Sequence, residues 1–149
     1  MMFELKRHEL AVLFGQLKTL KGVPLRAQRK DIIAMAEVAL PKGAANQVFL
    51  AIGSGGEMSQ AGAAQSVLDQ ALPDATYVIS SANTKLGKAY TAAVEVVVQD
   101  SRYHFVAQDM ASAGLALLTA AVGCLGDIAR DEVVDLPAIP LRAGGPIIP

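Results

Sequence analysis

The chain has 149 residues, 52% of them apolar and only 18% charged, which suits one domain around one core and excludes an intrinsically disordered chain or a plan with a separate catalytic lobe. Lys plus Arg (13) nearly balances Asp plus Glu (14), so no overall field gathers nucleic acid or anionic lipid. With no Trp and 5% aromatics the chain is short of rings for stacking single strands, and its one cysteine rules out a disulfide framework or a cysteine-based zinc site.

Leu10, Leu13, Phe14, Leu17 and Leu20 recur at the three-and-four spacing of an amphipathic helix. Gly22 and Pro24 interrupt it, and Ile32, Ile33, Ala36, Ala39 and Leu40 carry a second helix until Pro41 and Gly43. These two predict an N-terminal helical hairpin over 1–43, added to an α+β domain over 44–149. Residues 48–52 form a short apolar run leaving through Gly53, Ser54, Gly55 and Gly56, which predicts a buried strand. An Ala-rich helix follows over about 59–72, closed by Pro73. A second strand is expected over 76–80. The polar stretch 81–88 connects it to the longest strand, 90–98, with Tyr90, Ala92, Val94, Val96 and Val98 on one face and Thr91, Ala93, Glu95, Val97 and Gln99 on the other.

From about residue 102 to 128 the spacing predicts a helix with two apolar stripes, one running through Val106, Met110, Ala113, Leu117, Ala121, Cys124 and Ile128. Asp100 and Ser101 are its expected caps. A last short strand is expected over 132–136, followed by an extended tail marked by Pro137, Pro140, Pro146 and Pro149. The order strand, helix, strand, strand, helix, strand predicts a ferredoxin-like split βαβ arrangement. The start of the chain is charged at Glu4, Lys6 and Arg7 where a signal peptide would be apolar, and the apolar stretch 111–128 contains Gly114, Gly123, Gly126 and Asp127; both point to a soluble, cytoplasmic protein.

Three stretches resemble the shell-domain family of bacterial microcompartments, whose members tile into polyhedral walls. Residues 61–71 (AGAAQSVLDQA) are similar to that family's Ala-rich first helix. Lys85, Leu86, Gly87, Lys88 and Ala89 resemble the turn that lines its central pore. Glu132, Val133 and Val134, followed by Ile139, Pro140, Leu141 and Arg142, resemble its last strand and Pro-containing end. The resemblance spans about residues 47–142 and departs at Asp69 and Gln70, where the family carries an edge lysine, and at Lys88, where it carries a small residue. It implies a symmetric homo-oligomer with a pore faced by Lys85, Leu86, Gly87 and Lys88, filtering solutes by charge and width.

The residues themselves offer other chemistry. Gly53, Ser54, Gly55, Gly56 and Ser59 precede a helix, so free backbone N–H groups there are placed to cradle an anionic metabolite. The loop lacks the Gly-Lys-Ser/Thr ending of a P-loop, and a tight turn capped by Ser59 explains it as well. Asp100, Arg102, Tyr103, His104 and Asp109 lie close in sequence and contain the ingredients of a general base with an orienting carboxylate; a surface cluster at a helix start accounts for them too. Neither His8 nor His104 has metal-ligand spacing, and Cys124 sits in an apolar stripe, so no metal, cofactor or reactive thiol is expected. A basic bias at Lys18, Lys21, Arg26, Arg29 and Lys30 reads as a solvated helix surface or a contact for RNA or an acidic partner.

The leading expectation is thus a non-enzymatic, self-assembling subunit that binds neither DNA nor membrane. The alternative is a small oligomeric enzyme or regulator holding an anionic metabolite on the loop at residues 53–59. A thermal-shift panel of phosphorylated and carboxylate metabolites separates them: a ligand site raises the melting temperature, by an amount equivalent to about 2.7 kcal/mol at a hundredfold excess over Kd, and a purely structural subunit shows no shift.

Overall fold

A computed structural model describes residues 4–53 and 55–135. The elements are α1 (Arg7–Lys18), α2 (Arg26–Ala39), α3 (Ala44–Ile52), α4 (Glu57–Ala71), β1 (Thr76–Thr84), β2 (Gly87–Val98), β3 (Ser101–Met110) and α5 (Ala113–Asp135). The class is α+β, as expected. The described residues contain three strands rather than four, paired antiparallel in the order β1-β2-β3, so the sheet is a plain meander and the split βαβ order is not seen.

Three corrections account for the difference. Residues 48–52 are the second half of α3, not a strand. Its register starts earlier, at Gly43 with φ +92°, and buries Ala44, Val48, Ala51 and Ile52 on one helical face. A five-residue apolar run fits a buried strand and a buried helix equally well, and here Ala44, Ala45 and Gln47 tip it to helix. The expected long helix from residue 102 is β3, a turn and then α5, so Val106 and Met110 belong to a strand. The signal was the alternation of Tyr103, Phe105 and Ala107, all turned inward, with exposed His104 and Val106. Residues 132–135, expected as a strand, continue α5; residue 136 and the Pro-rich tail lie outside the described residues.

The connections explain the meander. Thr76 to Thr84 pairs without interruption with Glu95 to Gly87, and the hairpin closes through Lys85 and Leu86. There Thr84 Oγ1 accepts from the Leu86 N–H at 3.2 Å and donates to the Gly87 carbonyl at 2.6 Å. The stretch 81–88, expected as a connection, is therefore mostly ladder. β2 turns into β3 through Gln99 and Asp100, with φ of 50° and 67°. Two consecutive positive φ values make the I′-type turn whose twist matches the strands. Asp100 and Ser101 cap nothing. The cap of α5 is Ser112, whose Oγ accepts from the Leu115 N–H at 3.1 Å.

α5 is the axis of the molecule. From residue 113 to 125 every residue is buried, and α1, α3, α4 and the inner face of the sheet all pack on it. A stretch of 19 residues, Ala113–Asp131, is long and apolar enough to cross a bilayer, yet 83% of it is buried inside this fold. Its single buried polar side chain, Thr119, donates to the Leu115 carbonyl at 2.6 Å, which satisfies the hydroxyl within the helix itself. Two glycines set how closely neighbours approach. A Cβ at Gly114 would lie 2.7 Å from the backbone of Gln60 on α4, and one at Gly123 would lie 2.5 Å from the Phe105 ring. That ring in turn meets Phe14 of α1 edge-on, with centroids 5.3 Å apart, so Gly123 sits beneath an aromatic pair that ties α1 to the sheet. Gly114→Ala and Gly123→Ala are each expected to destabilise by about 1–3 kcal/mol through overpacking, with Gly114→Ala the worse because backbone cannot swing aside; chemical denaturation midpoints at unchanged m-value check both.

Candidate functional site

The residues singled out from the sequence occupy three separate places. Gly53 ends α3, with its N–H on the Leu50 carbonyl, and Gly56 is the N-cap of α4. Ser54 lies outside the described residues. Ser59 is exposed within α4 and caps nothing. The loop therefore joins two helices rather than a strand and a helix. A cavity of about 220 Å³ beside it is lined by Leu20, Val23, Ile52, Gln60, Ser112 and Leu115 among others. Its two polar side chains are already engaged: Gln60 Nε2 donates to the Gly53 carbonyl at 2.5 Å and Ser112 Oγ caps α5. Among the described residues no cation lines it, which gives an anion no charge partner from them.

Lys85, Leu86, Gly87 and Lys88 form the tip of the β1–β2 hairpin. Gly87 has φ +119° and Leu86 is 101% exposed. β3 stops at Met110 opposite Tyr90, so residues 82–84 and 87–89 continue past the three-stranded sheet as a two-stranded arm whose residues are exposed or half-buried.

Asp100, Arg102, Tyr103, His104 and Asp109 do not converge. They are spread along β3, and at ~3.3 Å per residue Asp100 and Asp109 stand ~30 Å apart. Asp100 is in the β2–β3 turn. Arg102 forms an exposed ion pair with Glu95 at 3.3 Å. His104 faces outward opposite Glu95, whereas Tyr103 is half-buried on the inner face. Asp109, with φ +58°, sits in a bulge: between the Tyr90–Met110 and Ala92–Ala107 pairs, Gln108 and Asp109 together face Thr91. No carboxylate is placed to orient His104 on its own strand. Among the described residues there is no group of three His, Cys, Asp or Glu side chains fit to hold a metal ion.

What the residue-by-residue reading missed is a surface. One face of the sheet packs on α5; the other carries the cross-strand row Val78–Ala93–Val106, with Val97 nearby. Val78 is 68% and Val97 54% exposed. The two edges of this sheet differ. β3 carries Arg102, His104, Asp109 and the bulge, the devices that keep an edge from pairing. β1 reads TYVISSANT, with no charge, no proline and an unbroken register, and β2 is its only strand neighbour among the described residues. The absence of Lys, Arg, Asp, Glu and Pro from residues 75–84 was the available signal in the sequence.

Comparison with protein-family models, with curated proteins and with solved structures returns no match.

Cys124, the lone cysteine, is fully buried on α5. Burial, with the Asp127 carboxylate adding to it, pushes its thiol from 9.0 up to about 12. The native protein is expected to resist thiol reagents at pH 8 and to react only on unfolding. Because the unfolded thiol ionises near 9.0 and the folded one near 12, the proton favours the native state below pH 9.0, and that contribution is lost as pH rises from 9.0 to about 12. Denaturation midpoints measured across that window, with Cys124→Ala as the reference, check the slope.

Proposed function

We propose that the chain is a self-assembling structural subunit that forms symmetric homo-oligomers, and that its β1 edge is the primary contact. The observation that carries this reading is the contrast between the two edges of one sheet: nine residues of β1 without charge, proline or bulge, against a β3 edge that is charged and bulged. An unprotected edge offers a row of backbone donors and acceptors to another strand, and a second copy of the same edge satisfies it across a two-fold axis. Antiparallel pairing centred on Ser80 would set Thr76 against Thr84 and Val78 against Ala82, joining two three-stranded sheets into one. The apolar rows of the open face would then run on from one copy to the next, which enlarges the apolar area available to further copies at about 25 cal/mol per Å² removed from water.

Of what the shell-domain resemblance implies, this reading takes over symmetric assembly alone. Lys85 and Lys88 belong to an arm that reaches beyond the sheet, and the arm's length along β1 is part of the pairing edge. The small side chains there, Ser80, Ser81 and Ala82, allow close approach.

In 0.5 M salt the protein is expected to sediment as at least twice 15.5 kDa. Val78→Lys with Ser80→Lys, two exposed positions, is expected to weaken that association at least tenfold by setting like charges across the two-fold, with the far-ultraviolet circular dichroism unchanged. A wild-type chain that stays at 15.5 kDa at high concentration would overturn the reading.

A further inference from the structure

α4 runs from a cavity beside Gln60 to a groove beside Ala71, and β3 from the Gln99 turn at that groove back to Ala111 at the cavity, so the two sites lie at opposite ends of these elements, and the two differ in charge. One end gathers the α1–α2 loop, the start of α4 and the start of α5, which meet around one cavity. It carries Lys18, Lys21, Arg26 and Lys30, all exposed. The other end gathers the end of α4 and the β2–β3 turn, which line a groove of about 330 Å³, together with the end of α5. It carries Asp69, Asp74 and Asp100, all exposed, and the half-buried Asp127 and Asp131, with exposed Arg130 paired to Asp127 at 3.1 Å and Arg102 beside the turn, opposite Val97.

This placement runs against the needs of the helices themselves. A helix N-terminus favours acidic residues and a C-terminus basic ones. α2 begins with Arg26, Arg29 and Lys30 and has no acidic residue in its first turn; α4 has Asp69 and no basic residue in its last turn. At these positions the charges add to the helix dipoles rather than offset them, although Arg29 also lies over the Phe49 ring at 5.0 Å from its centroid and α4 itself opens on Glu57. α1, with Glu9 in its first turn and Lys18 in its last, follows the ordinary rule.

The basic end also breaks two local rules at one residue. Leu25 stands at the N-cap of α2, where Ser, Thr, Asp or Asn is normal, and it makes no side-chain cap. Gln28 Oε1 accepts the Leu25 N–H at 3.0 Å, which holds the loop, while Pro24 is buried beneath it and Leu25 is 74% exposed. Val23 on the same loop is 56% exposed. The loop is an apolar knob flanked by Lys21 and Arg26. The groove at the far end has the complementary character: Leu72, Pro73, Val97 and Val98 form apolar walls, and Asp74 lines it.

We infer that copies of this chain join head to tail, the α1–α2 loop of one copy seating Val23 and Leu25 in the α4–β2 groove of the next, with Lys21 and Arg26 against Asp69 and Asp74. Knob and groove lie at opposite ends of one chain, so the contact is heterologous and propagates into rings or filaments. It rests on the self-assembly reading but uses a different surface from the β1 edge. Its ion pairs make it sensitive to salt, which screens charges beyond ~8 Å at 0.15 M, whereas strand pairing is not.

The test mixes two full-length variants. Lys21→Glu with Arg26→Glu reverses the charge flanking the knob; Asp69→Lys with Asp74→Lys reverses the charge beside the groove. Each alone is expected to lose at least tenfold in end-to-end association at 50 mM salt, with a melting temperature close to wild type, since Arg26→Glu and Asp69→Lys each suit the dipole of the helix that carries them. The two together are expected to restore large species in alternation. In the same samples Val78→Lys with Ser80→Lys removes only the salt-resistant pairing, so failure of one contact is told apart from failure of the other. A second arm mixes Leu25→Cys with Val97→Cys under mild oxidation: cross-linked heterodimers well in excess of homodimers are expected, Cys124 being buried. Wild-type mass unchanged between 50 and 500 mM salt, a variant mixture that stays at its starting masses, a labelled polyanionic RNA as the sole ligand of the basic end, or cross-linking that appears only when residues 136–149 are deleted, would each overturn the inference.

Discussion

Burial of α5 is the constraint from which the other features of the molecule follow. A helix whose residues 113–125 are all buried has no water-facing side, so it requires neighbours all round. The chain supplies them with α1, α3, α4 and one face of a three-stranded sheet. Close packing then demands small residues at the contacts, met by Gly114 under α4 and Gly123 under Phe105. Charge is kept out of this interior: among the described residues no charged side chain is buried.

A sheet recruited to cover one helix has its second face left over. With three strands and the inner residues Ala92, Val94, Val96 and Ala107 committed to α5, the outer row of Val78, Ala93 and Val106 has no cover among the described residues. The contrast between a guarded β3 and an unguarded β1 gives that leftover face a direction. The polar side chains that lie close in sequence around His104 stand apart along β3, and Cys124 is held neutral in the core.

The helical segments were legible where periodicity was long. α1 and α2 followed from leucines and isoleucines three and four apart, and the inward face of β2 followed from the alternation of Ala92, Val94 and Val96. Short segments were not. Residues 48–52 carry no period that distinguishes strand from helix, and their helical state is decided by Ala44 and Ala45 upstream and by packing against α4. β3 was hidden because its outward positions, Val106 among them, are themselves apolar on an open face, so the polar half of the alternation was blurred. Gln99 and Asp100 make an I′-type turn without the Asn-Gly pair that usually announces one. A helix would gather the polar residues around His104; a strand spreads the same residues over roughly 30 Å.

The position of α5 in the chain also shapes how the protein is made. It is the last described element, yet α1, α3, α4 and the sheet all lean on it. During synthesis the leucine faces of α1 and α4 emerge from the ribosome well before their shared partner does, and the meander is finished while its inner face is still bare. Cooperative closure has to await residues 113–129, so the apolar faces of the earlier elements stay uncovered until that stretch has emerged, and a chain stopped before α5 leaves them open to aggregation or proteolysis.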